Sequence, residues 1–134
     1  MDNGQSSILV IDRHSGWRKF AEETLKQAGY EVAAASRLEE AVERWLDESF
    51  DLILIGLDQA ESHLGTLSDL AKNPAHPRRI VVMFPIRQTY DKMRIVFKAG
   101  AYDVVDKPYQ ADALRSMVAE QIAEARQKNL TSTG

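Results

Sequence analysis

Apolar runs of strand length alternate with amphipathic segments of helix length along the whole chain. That alternation constrains the fold more than any other feature. The runs are "ILVID" (Ile8–Asp12), "YEVAAAS" (Tyr30–Ser36), "DLILIG" (Asp51–Gly56), "IVVMF" (Ile80–Phe84) and "YDVVD" (Tyr102–Asp106). The first, third and fourth are continuous rather than alternating, as befits strands buried on both faces, and "YEVAAAS" is a weaker strand. Between them lie "GWRKFAEETLKQAG", "RLEEAVERWLDES", a loop with a short helix around His63–Lys72, and "TYDKMRIVFKAG"; "QADALRSMVAEQIAEARQKNL" closes the series. Phe20, Thr24, Leu25 and Ala28 share one helical face, as do Ala41, Val42, Trp45 and Leu46. Gly29 stands where a helix C-cap glycine belongs, and Ser36 with Glu39 has capping-box spacing. "NPAHPRR" (Asn73–Arg79) is a turn-rich connection, and Lys107-Pro108 a turn.

Five successive βα units imply an α/β fold: a doubly wound parallel sheet with helices on both faces. In such open sheets, sites lie at the carboxyl ends of the strands, near the switch point of strand order. The residues there are Asp12-Arg13, Gly56, Phe84-Pro85 and Lys107-Pro108. Gly56 is the unexpected one, because a residue without a side chain ends an apolar strand where chemistry is usually sited.

Composition narrows the function. At 134 residues, 44% hydrophobic and 28% charged, the chain suits one globular domain with its own core. It contains no cysteine, which excludes disulfides, thiol nucleophiles and cysteine metal sites, and which is compatible with the cytoplasm. With 17 basic and 20 acidic residues, net charge −3, it has no basic surplus for nucleic acid. Its apolar runs are too short to span a bilayer. Residues 1–7 are expected to be a disordered leader, 8–127 the domain, and 128–134 a frayed tail or the start of a linker. His14, His63 and His76 are scattered, without metal-ligand spacing.

The runs "ILVID", "GYEV", "DLILIG" and above all "KAGAYDVVDKP", at their mutual spacing, resemble a response-regulator receiver domain, the CheY-like, flavodoxin-like (βα)5 fold. The resemblance covers roughly Ser7 to Ala125. It implies a five-stranded sheet in the order 2-1-3-4-5 and a module of a two-component phosphorelay. It also implies a carboxylate nucleophile ending strand three and two acids after strand one that, with it, hold Mg²⁺. A Thr or Ser ending strand four and a Lys ending strand five complete the set. Mg²⁺ requires several hard oxygens, and a moving phosphoryl group needs donors and a cation around its oxygens.

Carried over position by position, Asp12 matches the first acid, and Lys107 before Pro108 matches the lysine. Arg13 stands at the second acid, Gly56 at the phosphoacceptor, Phe84 (or Pro85) at the hydroxyl position, and Val104 at the family's rotating aromatic. The pattern implies a pseudo-receiver, not an enzyme, that binds no Mg²⁺ and pairs Asp12 with Arg13 or Lys107. It would act through the face made by its fourth helix, fifth strand and last helix, on a protein partner, an output domain or a second copy. Tyr90, Met93, Val104, Tyr109 and Leu114 are the interface candidates. Two alternatives stand beside this reading. If strand three ran two residues further, Asp58 would point with Gly56 and serve as a substitute phosphoacceptor. Otherwise Arg13 and Lys107 would hold an anion or nucleotide. Trp17 and Trp45 are expected in core or rim packing, and the Lys107–Pro108 bond is expected to be cis.

Overall fold

The computed structural model describes residues 6–73, 79–85 and 90–132, with side chains through Ala125. His76 and most of the 73–79 connection lie outside the described residues, as does the leader up to residue 5. Five strands, β1 (Ser7–Ile11), β2 (Glu31–Ala35), β3 (Leu52–Gly56), β4 (Ile80–Phe84) and β5 (Asp103–Asp106), form one parallel sheet in the order β2-β1-β3-β4-β5. Among the described residues, six helices accompany them: α1 (Ser15–Gln27), α2 (Leu38–Asp47), α3 (Leu57–Ser62), α4 (Leu64–Lys72), α5 (Tyr90–Lys98) and α6 (Ala111–Ser132). Ser6 and Ser7, expected in the leader, belong to the fold. Ser6 is buried, and Ser7 donates its N–H to Asp51 Oδ2 at 2.8 Å. The expected tail from residue 128 continues α6 to Ser132.

Strand alternation sorts the core into two layers. Ile8, Val10, Leu52, Leu54, Val81 and Met83 face α1 and α6, whose Trp17, Ala21, Leu25, Leu114, Val118 and Ile122 cover them. Leu9, Ile11, Ile53, Ile55, Val82 and Phe84 face the other way, onto residues of α2 to α5 such as Trp45, Leu67 and Val96. Among the described residues, no helix is long and apolar enough to cross a membrane.

Local chemistry explains the boundaries. α1 ends in a Schellman turn: Gly29 takes φ 98°, its N–H bonds Lys26 O, and the Tyr30 N–H bonds Leu25 O. Gly100 repeats the arrangement after α5 at φ 118°, pressed so closely on Ala71 that an added Cβ would lie 2.5 Å from its Cβ. At α2 the expected capping box of Ser36 with Glu39 does not form: the N-cap is Arg37, whose side chain makes no capping hydrogen bond, and Glu40 rather than Glu39 bonds Ser36. The helix starts at Leu38, which makes Glu40 its third residue, and Glu40 Oε1 accepts from both Oγ (2.8 Å) and N–H (3.3 Å) of Ser36.

The segment after β3 departs most from expectation. "LDQAES" forms a helix at once instead of a loop, and His63, at φ −135° and ψ 47°, separates it from α4. Leu57 and Ala60 are buried there, and Asp58 sits in the first turn, where a carboxylate favours the helix dipole. Gln59 is buried, and its Oε1 accepts the Leu38 N–H at 3.0 Å, satisfying a donor at the start of α2.

Candidate functional site

The parallel sheet brings four strand ends to one rim. Asp12 follows β1, Gly56 ends β3, Pro85 follows β4, and Lys107 follows β5. Together with Arg13, His14, Ser15, Trp17, Leu57, Asp58, Glu61, Met83 and Tyr109 they surround a cavity of about 690 Å³.

Asp12 is the fixed centre. Its side chain is 3% exposed, its Oδ1 accepts the His14 N–H at 2.8 Å, and its carbonyl accepts from Arg18 at 2.8 Å. Lys107 Nζ lies 2.8 Å from Asp12 Oδ2, and the Lys107 side chain is only 6% exposed. The N–O distance is that of a tight ion pair, although Oδ2 meets the ammonium off the hydrogen-bond direction. A buried charge needs such a partner.

Arg13 does not share this burial. It is 74% exposed and reaches Asp58 Oδ2 at 3.8 Å, a screened surface contact. Of the two partners expected for Asp12, the structure selects Lys107, because Arg13 points out over α3. Asp58 is on that helix, not on an extension of β3, yet its Oδ1 comes within 3.4 Å of where a Cβ on Gly56 would be. The same Cβ position is 3.0 Å from Asp12 Oδ2.

Other expectations need correction. Phe84 does not line the cavity: alternation along β4 turns it into the opposite core layer, 3% exposed, while Met83 and Pro85 stand at the rim. The Lys107–Pro108 bond is trans, since the described residues contain no cis peptide. Trans is the intrinsically favoured isomer of X–Pro bonds, by about 0.5–1 kcal/mol. It leaves the Pro108 carbonyl accepting the Trp17 Nε1–H at 2.8 Å. Leu114 is fully buried under the sheet, so it is core and not interface. Met93 and Val104 are half-buried against the core, whereas Tyr90 and Tyr109 are exposed.

Sequence reasoning missed two features. One is the Trp17–Pro108 hydrogen bond, whose partners are 91 residues apart. The other is at the opposite rim, where buried Arg79 donates from Nε to Gln121 Oε1 and from a terminal nitrogen to Glu124 Oε1, each at 2.7 Å. Its guanidinium carbon lies 3.3 Å from the Tyr102 ring centroid, and Gln121 passes the network on to Asp103 Oδ2 at 2.7 Å. The charged "RR" before β4 was the signal available.

Residues 8–119 match the family described as the response regulator receiver domain. The chain belongs to that family. It is 31% identical over 129 residues to the transcriptional regulatory protein ZraR of Salmonella typhimurium, covering 95% of this chain and 29% of ZraR. It is 30% identical over 117 residues to the response regulator protein PilR of Pseudomonas aeruginosa, covering 86% of this chain and 26% of PilR. The chain thus spans less than a third of these curated relatives. A CheY-like receiver domain from Methanospirillum hungatei superposes with a TM-score of 0.79 at 20% identity, over 92% of this chain and 98% of that one.

Receivers are associated with Mg²⁺, and the residues at this rim do not fit it. Mg²⁺ demands near-octahedral oxygen ligation. Asp12 is the buried carboxylate, and Lys107 already neutralises it. Gly56 contributes no oxygen from a side chain, and among the described residues no group of three or more His, Asp or Glu could hold a metal ion.

Proposed function

We propose that this receiver domain signals by protein–protein contact and does not run aspartyl phosphorylation. In this reading it is a pseudo-receiver and not an enzyme. The observation that carries it is the combination at one point of the rim: a glycine at the end of β3, beside an Asp12 that Lys107 already neutralises. Phosphoryl transfer to a carboxylate needs a nucleophilic oxygen there, together with a metal to balance charge on the transferred group.

The surface formed by α5, β5 and α6 is the contact face in this reading. Tyr90, Met93, Arg94, Phe97 and Lys98 line a shallow groove on α5, and Tyr109 is exposed at the foot of α6. Exposed aromatics beside cations favour a protein interface. The much greater length of ZraR and PilR supports an output domain as the partner. A second copy of the chain is the other occupant of this face.

One observation favours a second reading. The Asp58 carboxylate leans over Gly56, where it could take a phosphoryl group in place of the missing side chain. Incubation with acetyl phosphate and Mg²⁺, followed by intact mass, separates the two. No mass gain, and no thermal shift with beryllofluoride and Mg²⁺, is expected. A phosphoryl gain that disappears in Asp58→Asn would establish the second reading instead.

A further inference from the structure

We propose that Trp17 is a positioning residue that holds Lys107 on Asp12 and fastens the β5–α6 connection, so that Asp12 is kept neutralised from within the chain. This goes beyond the absence of phosphorylation, and rests on that reading of the pocket for its meaning in signalling.

Trp17 acts through two parts of one ring system. Its Nε1 donates to the Pro108 carbonyl at 2.8 Å in a buried hydrogen bond. Its face lies 4.8 Å from Lys107 Nζ. The ammonium is therefore boxed between a carboxylate oxygen at 2.8 Å and an aromatic face. A cation–ring attraction strengthens when water is excluded, and little of Lys107 reaches solvent.

The backbone around Lys107 is held on both sides. The Lys107 N–H donates to Phe84 O at 2.8 Å, tying it to β4, while Pro108 is tied to α1 through the indole. Proline cannot donate a backbone hydrogen bond, so its carbonyl is the atom by which this turn can be fastened. Trp17 has little freedom of its own. It is buried in the core layer with Val10, Met83 and Val118, and it meets Phe20 edge-on at 6.2 Å between centroids. Asp12 is equally constrained by the His14 N–H and by Arg18. Pairing, packing and loop closure all pass through a single side chain.

The test measures the reactivity of Lys107. Limited acylation of the full chain with an N-hydroxysuccinimide ester, mapped by mass spectrometry, should find Lys107 far slower than exposed Lys19. Trp17→Phe keeps a ring and loses the N–H donor; Trp17→Leu loses both. Acylation of Lys107 should rise roughly ten-fold in Trp17→Leu and by a smaller factor in Trp17→Phe, as local opening becomes easier, with Lys19 unchanged. Amide exchange at Lys107 should quicken in both variants, while Ile53 and Ile55 in β3 stay protected. If Lys107 is as unreactive, and its amide as protected, in Trp17→Phe as in the parent chain, the proposal is wrong, whether or not Trp17→Leu folds. A phosphoryl gain by the parent chain would instead overturn the reading of the pocket and leave the Lys107 rates to judge the latch on their own.

Discussion

A side chain at position 56 would begin 3.0 Å from Asp12 Oδ2. The backbone of Gly56, at φ −67° and ψ 149°, is one that any residue adopts. Space and charge therefore decide what can stand there, not conformation. Gly56→Asp crowds a second carboxylate against the first, with Lys107 shared between them. We expect it to lower stability by about 1–3 kcal/mol in denaturant titrations. By itself it should gain no phosphoryl group from acetyl phosphate and Mg²⁺. Gly56→Asp with Arg13→Asp adds the missing acid and removes the cation, and should label more than the single variant. Labelling of the single variant would show that Arg13, exposed as it is, does not oppose the metal.

The Asp12–Lys107 pair supplies a second test. Lys107→Met preserves most of the volume and strands a buried carboxylate, which should cost about 3–5 kcal/mol. Asp12→Asn together with Lys107→Met removes both charges and should recover most of that loss. A double variant as unstable as the single one would mean that the pair is not the dominant interaction of either residue.

Arg79 tests the opposite rim. Arg79→Ala leaves Gln121 and Glu124 without their shared donor and uncovers Tyr102. Glu124 is largely exposed and loses little, so the expected cost, read from thermal melts, is about 1.5–3 kcal/mol. Arg79→Lys should rescue less than half, because an ammonium cannot reproduce the planar fork or its stacking.

Glu40 sets an acid-side dependence. Hydrogen bonding from Ser36, then from Arg37, holds its carboxyl below the ordinary glutamate value. A depressed folded-state pKa stabilises the fold above the unfolded value, and this contribution disappears as pH falls through the folded one. Glu40→Gln should therefore melt earlier than the parent at neutral pH, and the difference should shrink and vanish as pH falls below the ordinary glutamate range. A constant difference across that range would contradict the assignment.

The strands were legible because each is a compact apolar run, and each predicted run overlaps its observed strand with no end differing by more than one residue. The strand order followed from the family resemblance. The helix at Leu57 was not legible. Six residues give too little periodicity to distinguish a helix from a loop, and its start depends on burying Leu57 and Ala60 and on Gln59 reaching α2. At the rim, the positions of Asp12, Gly56 and Lys107 could be counted from strand ends. The side to which Phe84 turns, and the partner of Trp17, depend on register and on contacts between distant segments. Arg79 was only hinted at by the charged pair before β4, since its partners are Tyr102, just before β5, and Gln121 and Glu124 on α6.

The two polar clusters have a joint consequence for α6. Near its start the helix is fastened to α1 through Pro108, and at Gln121 and Glu124 it is fastened to the strand-entry side of the sheet. The span between the fastenings is about 20 Å at 1.5 Å per residue. A rod pinned at two points cannot pivot about either. Tilting the helix about one fastening would strain the other, so the two polar clusters oppose the same motion from opposite ends.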